Sequence, residues 1–216
     1  QESAEVFIRA ELDKTKVYAG EQCILSYKLY TRVSIENIEA AARPELDAFN
    51  AEWVNMLQNP VEREIYNGKE YMTKVLSKTV LFPIKTGVIA IEPTVYRIVK
   101  GERDPFGFGM PSFFQGQVET ISSNGLTITV LPLPDSIPVG FSGAVGDMQM
   151  HITSPGNRFS LEDAIQFSIE VRGNANFLLV KPKLNIPDSL FEISDFKASD
   201  PVKVTDEPEI IKTCTY

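Results

Sequence analysis

Alternation of apolar and polar residues with a period of two is the feature that most constrains the fold of this chain. In segment 6–12 the even-numbered residues are apolar, while Arg9 and Glu11 occupy the opposite face. Segment 23–29 repeats this arrangement with apolar odd-numbered residues and Lys28 opposite. A period of two is typical of half-buried β-strands, because successive side chains of a strand point to opposite faces of the sheet. Both segments are therefore predicted to be strands.

Turn signals separate the predicted strands. Asn67-Gly68 lies inside segment 61–82 and predicts a β-hairpin, because both central residues of a type I′ turn need positive φ. Gly20 predicts a turn between the first two strands, and the turn at 83–87 leads into a strand at 88–91. Segment 126–131 is predicted to be a further strand.

Helical periodicity is weak throughout. The best candidate is segment 44–57, which predicts a turn or two of helix at most. The sequence therefore predicts an all-β fold.

The chain also repeats itself. A shift of 142 residues aligns segment 6–10 with 148–152 and segment 23–29 with 165–171, apolar position on apolar position. A shift of 138 aligns Trp53 with Phe191. Because the aligned segments keep their apolar residues at the same alternating positions, they indicate two copies of one strand-rich unit.

The boundary between the copies is predicted in the proline-rich segment 131–138, which cannot continue a central strand. This gives a first domain at 1–134 and a second at 135–216. Unit size and strand spacing favour tandem immunoglobulin-like β-sandwiches. The segment 213–216 is interpreted as the start of a strand, so we expect the natural protein to continue past Tyr216.

Composition excludes several classes of function. The 216 residues carry a formal net charge of −8, which argues against nucleic-acid binding. A single histidine and two cysteines leave little material for a His-based triad or a Cys/His zinc site. No apolar stretch within 1–216 is long enough to predict a transmembrane helix. We therefore predict no catalytic residue, no cofactor and no metal site.

The two cysteines and the single histidine are given structural rather than functional interpretations. Cys23 is predicted to be a small buried hydrophobe, and a disulfide with Cys214 is not expected because the two lie in different sandwiches. His151 is predicted to be solvent-exposed, opposite an inward face formed by Met148, Met150 and Ile152.

A loop rich in phenylalanine and glycine lies between a strand ending near Val99 and one starting near Val118. Two interpretations stay open: the loop folds back to cap the sandwich, or it presents an apolar patch to a partner or a membrane surface. In the second case its large apolar side chains are the predicted partner-binding residues: Phe106, Phe108, Met110, Phe113 and Phe114.

Two glutamates of the hairpin, Glu62 and Glu64, share one strand face. They are interpreted as outward-facing residues beside a core tryptophan, Trp53, rather than as an acid/base pair. A further hypothesis is that one of these exposed carboxylates completes a metal site of a partner protein.

Several motifs together resemble the BatD-type oxygen-tolerance (aerotolerance) family. The similarity includes the turn around Gly20-Glu21 and the hairpin Glu62-Arg63-Glu64-x-Tyr66-Asn67-Gly68. It continues through Leu81-Phe82-Pro83 and the junction Phe141-x-Gly143-Ala144-Val145-Gly146. It extends over essentially the whole chain.

The resemblance implies an exported protein on the periplasmic side of the inner membrane of a Gram-negative bacterium. Such proteins carry a signal peptide, tandem sandwich domains and a C-terminal membrane anchor, and they are encoded with von Willebrand A-type partners and a MoxR-type ATPase. No catalytic residues are assigned to the family.

The function expected on this basis is a non-enzymatic, membrane-anchored scaffold of an oxygen- or stress-tolerance system that binds von Willebrand A-type proteins. The alternative is a carbohydrate- or peptide-binding module of a cell-surface system, in which Trp53 and tyrosines stack on the ligand.

Overall fold

The computed structural model describes residues 4–56, 59–101, 117–160, 163, 165–180, 197–199, 202–203 and 210–215. Within them the chain is all-β, as predicted, and contains no helix. The strands are β1 (Val6–Leu12), β2 (Lys16–Tyr18), β3 (Cys23–Thr31), β4 (Ile35–Ala42), β5 (Phe49–Trp53), β6 (Glu62–Tyr66), β7 (Lys69–Pro83), β8 (Gly87–Ile91), β9 (Val95–Lys100), β10 (Gln117–Ser122), β11 (Leu126–Leu131), β12 (Met148–Thr153), β13 (Ser168–Gly173), β14 (Lys197–Ala198), β15 (Val202–Lys203) and β16 (Ile210–Thr215).

Three sheets enclose the larger hydrophobic core. One has the order β1-β3-β7-β5, with β6 paired to the outer part of β7. The others have the orders β10-β9-β4 and β2-β11-β8. All pairings in them are antiparallel except that of β2 with β11. The core joins inward residues of β1 and β3 to those of β9 and β11, an arrangement consistent with a β-sandwich.

The alternation predicted for the first two long strands is confirmed. Val6, Ile8 and Ala10 of β1 are buried, as are Cys23 and Leu25 of β3. The hairpin is confirmed as well, since Asn67 and Gly68 have φ values of 50° and 75° and connect β6 to β7. Pattern and turn chemistry therefore suffice to position these strands.

The helix considered for segment 44–57 is wrong. Residues Phe49–Trp53 form β5, which pairs with the end of β7 from Phe49↔Pro83 to Trp53↔Thr79. The reason is the length of β7, whose 15 residues extend along the edge of β3 and leave backbone donors and acceptors to be paired on the other side. Both β5 and β6 supply those partners.

A β-bulge in β7 changes which of its residues face the core. Tyr27 pairs with Ser77 and Lys28 pairs with Val75, so Leu76 is the extra residue. Before the bulge, Thr73 pairs with Tyr30 on the outer face of the sheet. After it, the odd-numbered residues of β7 share the inner face with the inward residues of β3.

The second copy repeats the strand pairing of the first. Strand β12 pairs with β13 in a register that equals the β1–β3 register shifted by 142, so that Ile8↔Leu29 corresponds to Met150↔Val171. The sheet continues as β12-β13-β16-β14, with β15 also paired to β16. A separate small core lies here around Ile169, Val171 and Phe177.

The inward face predicted for β12 is not buried. Met148, Met150 and Ile152 are all exposed, Met150 by 63%. Strand β12 is an edge strand, and in the part of the chain that the structure describes no second sheet covers its apolar side. The equivalent residues of β1 belong instead to the larger core, which also contains residues of β9 and β11.

Other predictions can be placed on the fold. His151 is exposed, as expected. Cys23 and Cys214 are both buried and both free, which agrees with a structural role for Cys23. Within the described residues, no helix is long and apolar enough to span a membrane. The boundary near 134 stays a prediction.

Candidate binding pocket

A small pocket opens in the first unit, where β3, β5, β7 and β9 approach one another. Its volume of about 30 Å³ accommodates roughly two water molecules or the head of one side chain. The described residues that line it are Leu25, Tyr27, Arg43, Pro44, Leu46, Trp53, Ser77, Thr79, Thr94 and Tyr96.

Three buried hydroxyl groups in this lining have no hydrogen-bond partner in the described protein. They belong to Tyr27, Thr79 and Thr94, which are 4%, 1% and 1% exposed. The Tyr27 hydroxyl is near Thr94, but neither oxygen reaches hydrogen-bond geometry. Because an unpaired buried hydroxyl costs about 1–3 kcal/mol, these groups are expected to bond with whatever fills the pocket.

The fold positions each of these hydroxyls. The bulge at Leu76 directs Ser77 and Thr79 to the inner face of β7 beside Tyr27 and Leu25. Thr94 is fixed by its backbone, since its N–H donates to Ser123 Oγ at 3.0 Å and its carbonyl accepts from Ser123 N at 2.9 Å. The polar interior of the pocket is therefore part of a rigid frame.

Trp53 forms the rim of the opening. We expected it in the core, but it is 51% exposed, and the Arg43 guanidinium lies over its ring at 4.5 Å from the centroid. It shares a strand face with buried Phe49, but it lies at the end of β5, where the sheet edge meets solvent. The pocket thus has a polar interior and an aromatic, cationic rim.

The ionisation states in the pocket favour hydrogen-bond donation. Burial raises the pKa of Tyr27, and burial raises that of Tyr96 to about 12, so both phenols stay protonated at neutral pH. Arg43 is the one cation among the lining residues, and among them there is no carboxylate, histidine or cysteine. The arrangement can bind and orient a ligand but offers no general base to a reaction.

The two hairpin glutamates lie outside this pocket. Glu64 accepts hydrogen bonds from Lys28 Nζ and, at 3.2 Å, from the Tyr30 hydroxyl. The contact with Lys28 lowers the Glu64 pKa despite partial burial. Glu62 is exposed on the same hairpin. Glu64 is thus engaged within the protein, whereas Glu62 faces solvent.

The outer face around Glu64 carries a compact group of aromatic rings. Phe7 and Tyr30 stack with centroids 4.8 Å apart, and Tyr66 and Tyr71 lie within 5.6 Å and 6.2 Å of Tyr30. Tyr71 is buried and donates its hydroxyl proton to the Ala4 carbonyl at 3.0 Å. These contacts form a closed structural cluster rather than an open site.

The predicted partner-binding residues of the phenylalanine- and glycine-rich loop receive no structural test. Phe106, Phe108, Met110, Phe113 and Phe114 lie outside the described residues. In the described ranges, no three histidine, cysteine, aspartate or glutamate side chains are grouped closely enough to hold a metal ion.

Sequence reasoning missed most of the pocket. The available signal was the presence of Ser77 and Thr79 in a strand that otherwise ends in the apolar run Val80-Leu81-Phe82. A reading that assumes strict alternation cannot use this signal. A bulge switches which residues of the strand face the core, and no particular residue type marks its position in the sequence. Arg43 precedes β5 along the chain and is brought to the pocket only by tertiary packing.

Comparisons with known proteins add no family assignment. No protein-family model matches the chain, and a search of curated proteins finds none with significant similarity.

Proposed function

We propose that this chain is a non-enzymatic binding module, built from tandem immunoglobulin-like sandwiches, that acts as the periplasmic scaffold of a BatD-like oxygen- or stress-tolerance system. In this proposal it binds von Willebrand A-type proteins and is normally held to the inner membrane by a C-terminal anchor. The family part of the proposal rests on the motif resemblance, and the binding part rests on the pocket.

The observation that supports binding is the combination of unpaired buried hydroxyls and an exposed aromatic rim. Tyr27, Thr79 and Thr94 offer unused hydrogen bonds, and Trp53 offers an apolar surface beside them. Such sites, with a few convergent polar groups and an aromatic edge, are typical of ligand recognition. Since the lining holds no acid/base pair, binding explains the site better than catalysis does.

A carbohydrate- or peptide-binding module is the second candidate. Its main support is the exposure of Trp53, because a ring that is 51% exposed can stack on a ligand and a core tryptophan cannot. The three hydroxyls would then hydrogen-bond with sugar hydroxyls or with a peptide backbone.

Affinity capture from membranes of the source bacterium tests the first proposal. The baits are the wild-type chain, Trp53→Ala, and a loop variant with Phe106, Phe108, Phe113 and Phe114 all changed to serine. Val88→Ser is the matched control, since Val88 is an exposed apolar residue of β8 outside the pocket. All variants must keep the wild-type melting temperature.

We expect the wild type and the control to retain a von Willebrand A-type protein and Trp53→Ala to lose it. Loss with the loop variant would assign the loop to the same interface. If the wild type retains no such protein, the partner proposal fails. If Trp53→Ala retains it as well as the control does, the pocket is not the contact.

A further inference from the structure

We propose that the pocket recognises a single carboxylate group, presented by an acidic side chain of a partner polypeptide. This inference rests on the proposed binding function but not on the identity of the partner. It is based on the donors that line the pocket, on its size and on the environment of Arg43.

The unused groups of the pocket can all donate to an anion. A hydroxyl can donate or accept, so three unpaired hydroxyls alone would suit many polar ligands. Arg43 narrows the choice, because a guanidinium donates only and stays charged at all relevant pH values. A carboxylate accepts from both kinds of group and forms stronger hydrogen bonds than a neutral acceptor does.

Arg43 is available for such a contact. It forms no ion pair with any carboxylate of the described part of the chain, and its observed contact is the face of Trp53. A guanidinium that lies over an aromatic ring can still donate in-plane hydrogen bonds from its N–H groups. Arg43 thus places a positive charge beside three buried hydroxyls that have no hydrogen-bond partner in the described protein.

The volume of the pocket limits the size of the ligand group that can enter it. A volume of about 30 Å³ holds roughly two water molecules, which is the space that the two oxygens of one carboxylate would take. A whole sugar ring does not fit inside and could only rest on Trp53. The aliphatic stem of a glutamate would lie against Leu46 and Pro44.

The single tryptophan of the chain makes the inference directly measurable, since its fluorescence reports on the rim of the pocket. The probes are N-acetyl-glutamate amide, the uncharged N-acetyl-glutamine amide, and methyl glucoside, titrated at constant ionic strength. We expect a saturable change with the glutamate probe in the millimolar range, as is usual for so small a ligand, and none with the glutamine probe.

Three variants assign the change to the pocket. Arg43→Gln should weaken binding of the glutamate probe about tenfold or more, because a charge-assisted pair is lost. Tyr27→Phe should weaken it about threefold while leaving the melting temperature in place. Arg63→Gln is the matched control, as Arg63 is an exposed arginine of β6 outside the pocket, and it should bind as the wild type does.

Each other outcome overturns the inference. Equal binding of the glutamate and glutamine probes would show that charge is not recognised. A response to methyl glucoside alone would support the carbohydrate module and keep a binding function without the carboxylate. No response to any probe, together with a lower melting temperature of Tyr27→Phe, would show a pocket that holds only structural water. In that case the proposed binding function would be tested only by the affinity capture from membranes described above.

Discussion

At the residue scale, the pocket is defined by which buried hydroxyls have protein partners. Ser123 is buried and bonded twice: its Oγ accepts from Thr94 N at 3.0 Å and donates to the Asn124 carbonyl at 3.1 Å. Tyr27 is equally buried, but its hydroxyl has no partner in the described protein. Removing the Ser123 hydroxyl should therefore change the stability of the protein more than removing the Tyr27 hydroxyl does.

Removing the two hydroxyls should separate these roles. Ser123→Ala should lower the free energy of unfolding by about 1–3 kcal/mol, because it leaves the Thr94 N–H unpaired. Tyr27→Phe should change it by less than about 0.5 kcal/mol. Urea unfolding of both variants measures the difference. Equal destabilisation would mean that the Tyr27 hydroxyl has a structural partner.

The ion pair of Glu64 predicts a specific pH dependence. The Lys28 contact lowers the Glu64 pKa in the folded state, so the pair stabilises the protein above the unfolded pKa of about 4.3, and this contribution is lost as pH falls through the folded value. Glu64→Gln should thus be less stable than wild type at neutral pH, by under about 1 kcal/mol because the pair is partly exposed. In urea unfolding near pH 3 the two proteins should converge. A constant difference across this range would contradict the assignment.

At the element scale, prediction from sequence succeeded where local chemistry determines the outcome. The hairpin around Asn67-Gly68 and the alternating strands β1 and β3 follow directly from turn residues and period-two patterns. Strand β5 could not be predicted in this way, because its pairing depends on the exposed edge of β7. The exposed side of β12 also depends on tertiary context, since its pattern is that of a buried strand.

The bulge in β7 predicts which residue of this strand can be removed. Deleting Leu76 would make Tyr27↔Ser77 and Lys28↔Val75 successive pairs of a regular ladder, and Thr79 would stay opposite Leu25 on the inner face. We therefore expect the deletion variant to keep cooperative unfolding, measured by circular dichroism during thermal melting. A glycine inserted after Gly68, at the hairpin tip, is the control and should lower the melting temperature only slightly. Loss of cooperative unfolding in the deletion variant alone would refute the bulge.

At the scale of the whole molecule, the core of the first unit is formed within residues 6–130, and the second core lies apart from it. The two cores share no residue in the described part of the chain. Contacts between the first unit and the segment after 134 include an isolated bridge between Glu21 and Val145 and the approach of Gly20 to Gly143. The pocket belongs entirely to the first unit.

A fragment of residues 1–134 should therefore fold by itself. We expect a cooperative melt within a few degrees of the first transition of the full chain and an unchanged tryptophan emission maximum. Differential scanning calorimetry and fluorescence measure these quantities. A fragment that is unfolded at room temperature would contradict both the predicted boundary and the independence of the first core.

The central claim is that the opening at Trp53 is where this protein contacts its partner. Site-specific photo-cross-linking in living cells tests it most directly, with benzoylphenylalanine placed at position 53 and, as control, at exposed position 88 of β8. The account predicts a light-dependent adduct with one protein at position 53 and none at position 88. No adduct at position 53, or the same adducts at both positions, would contradict it.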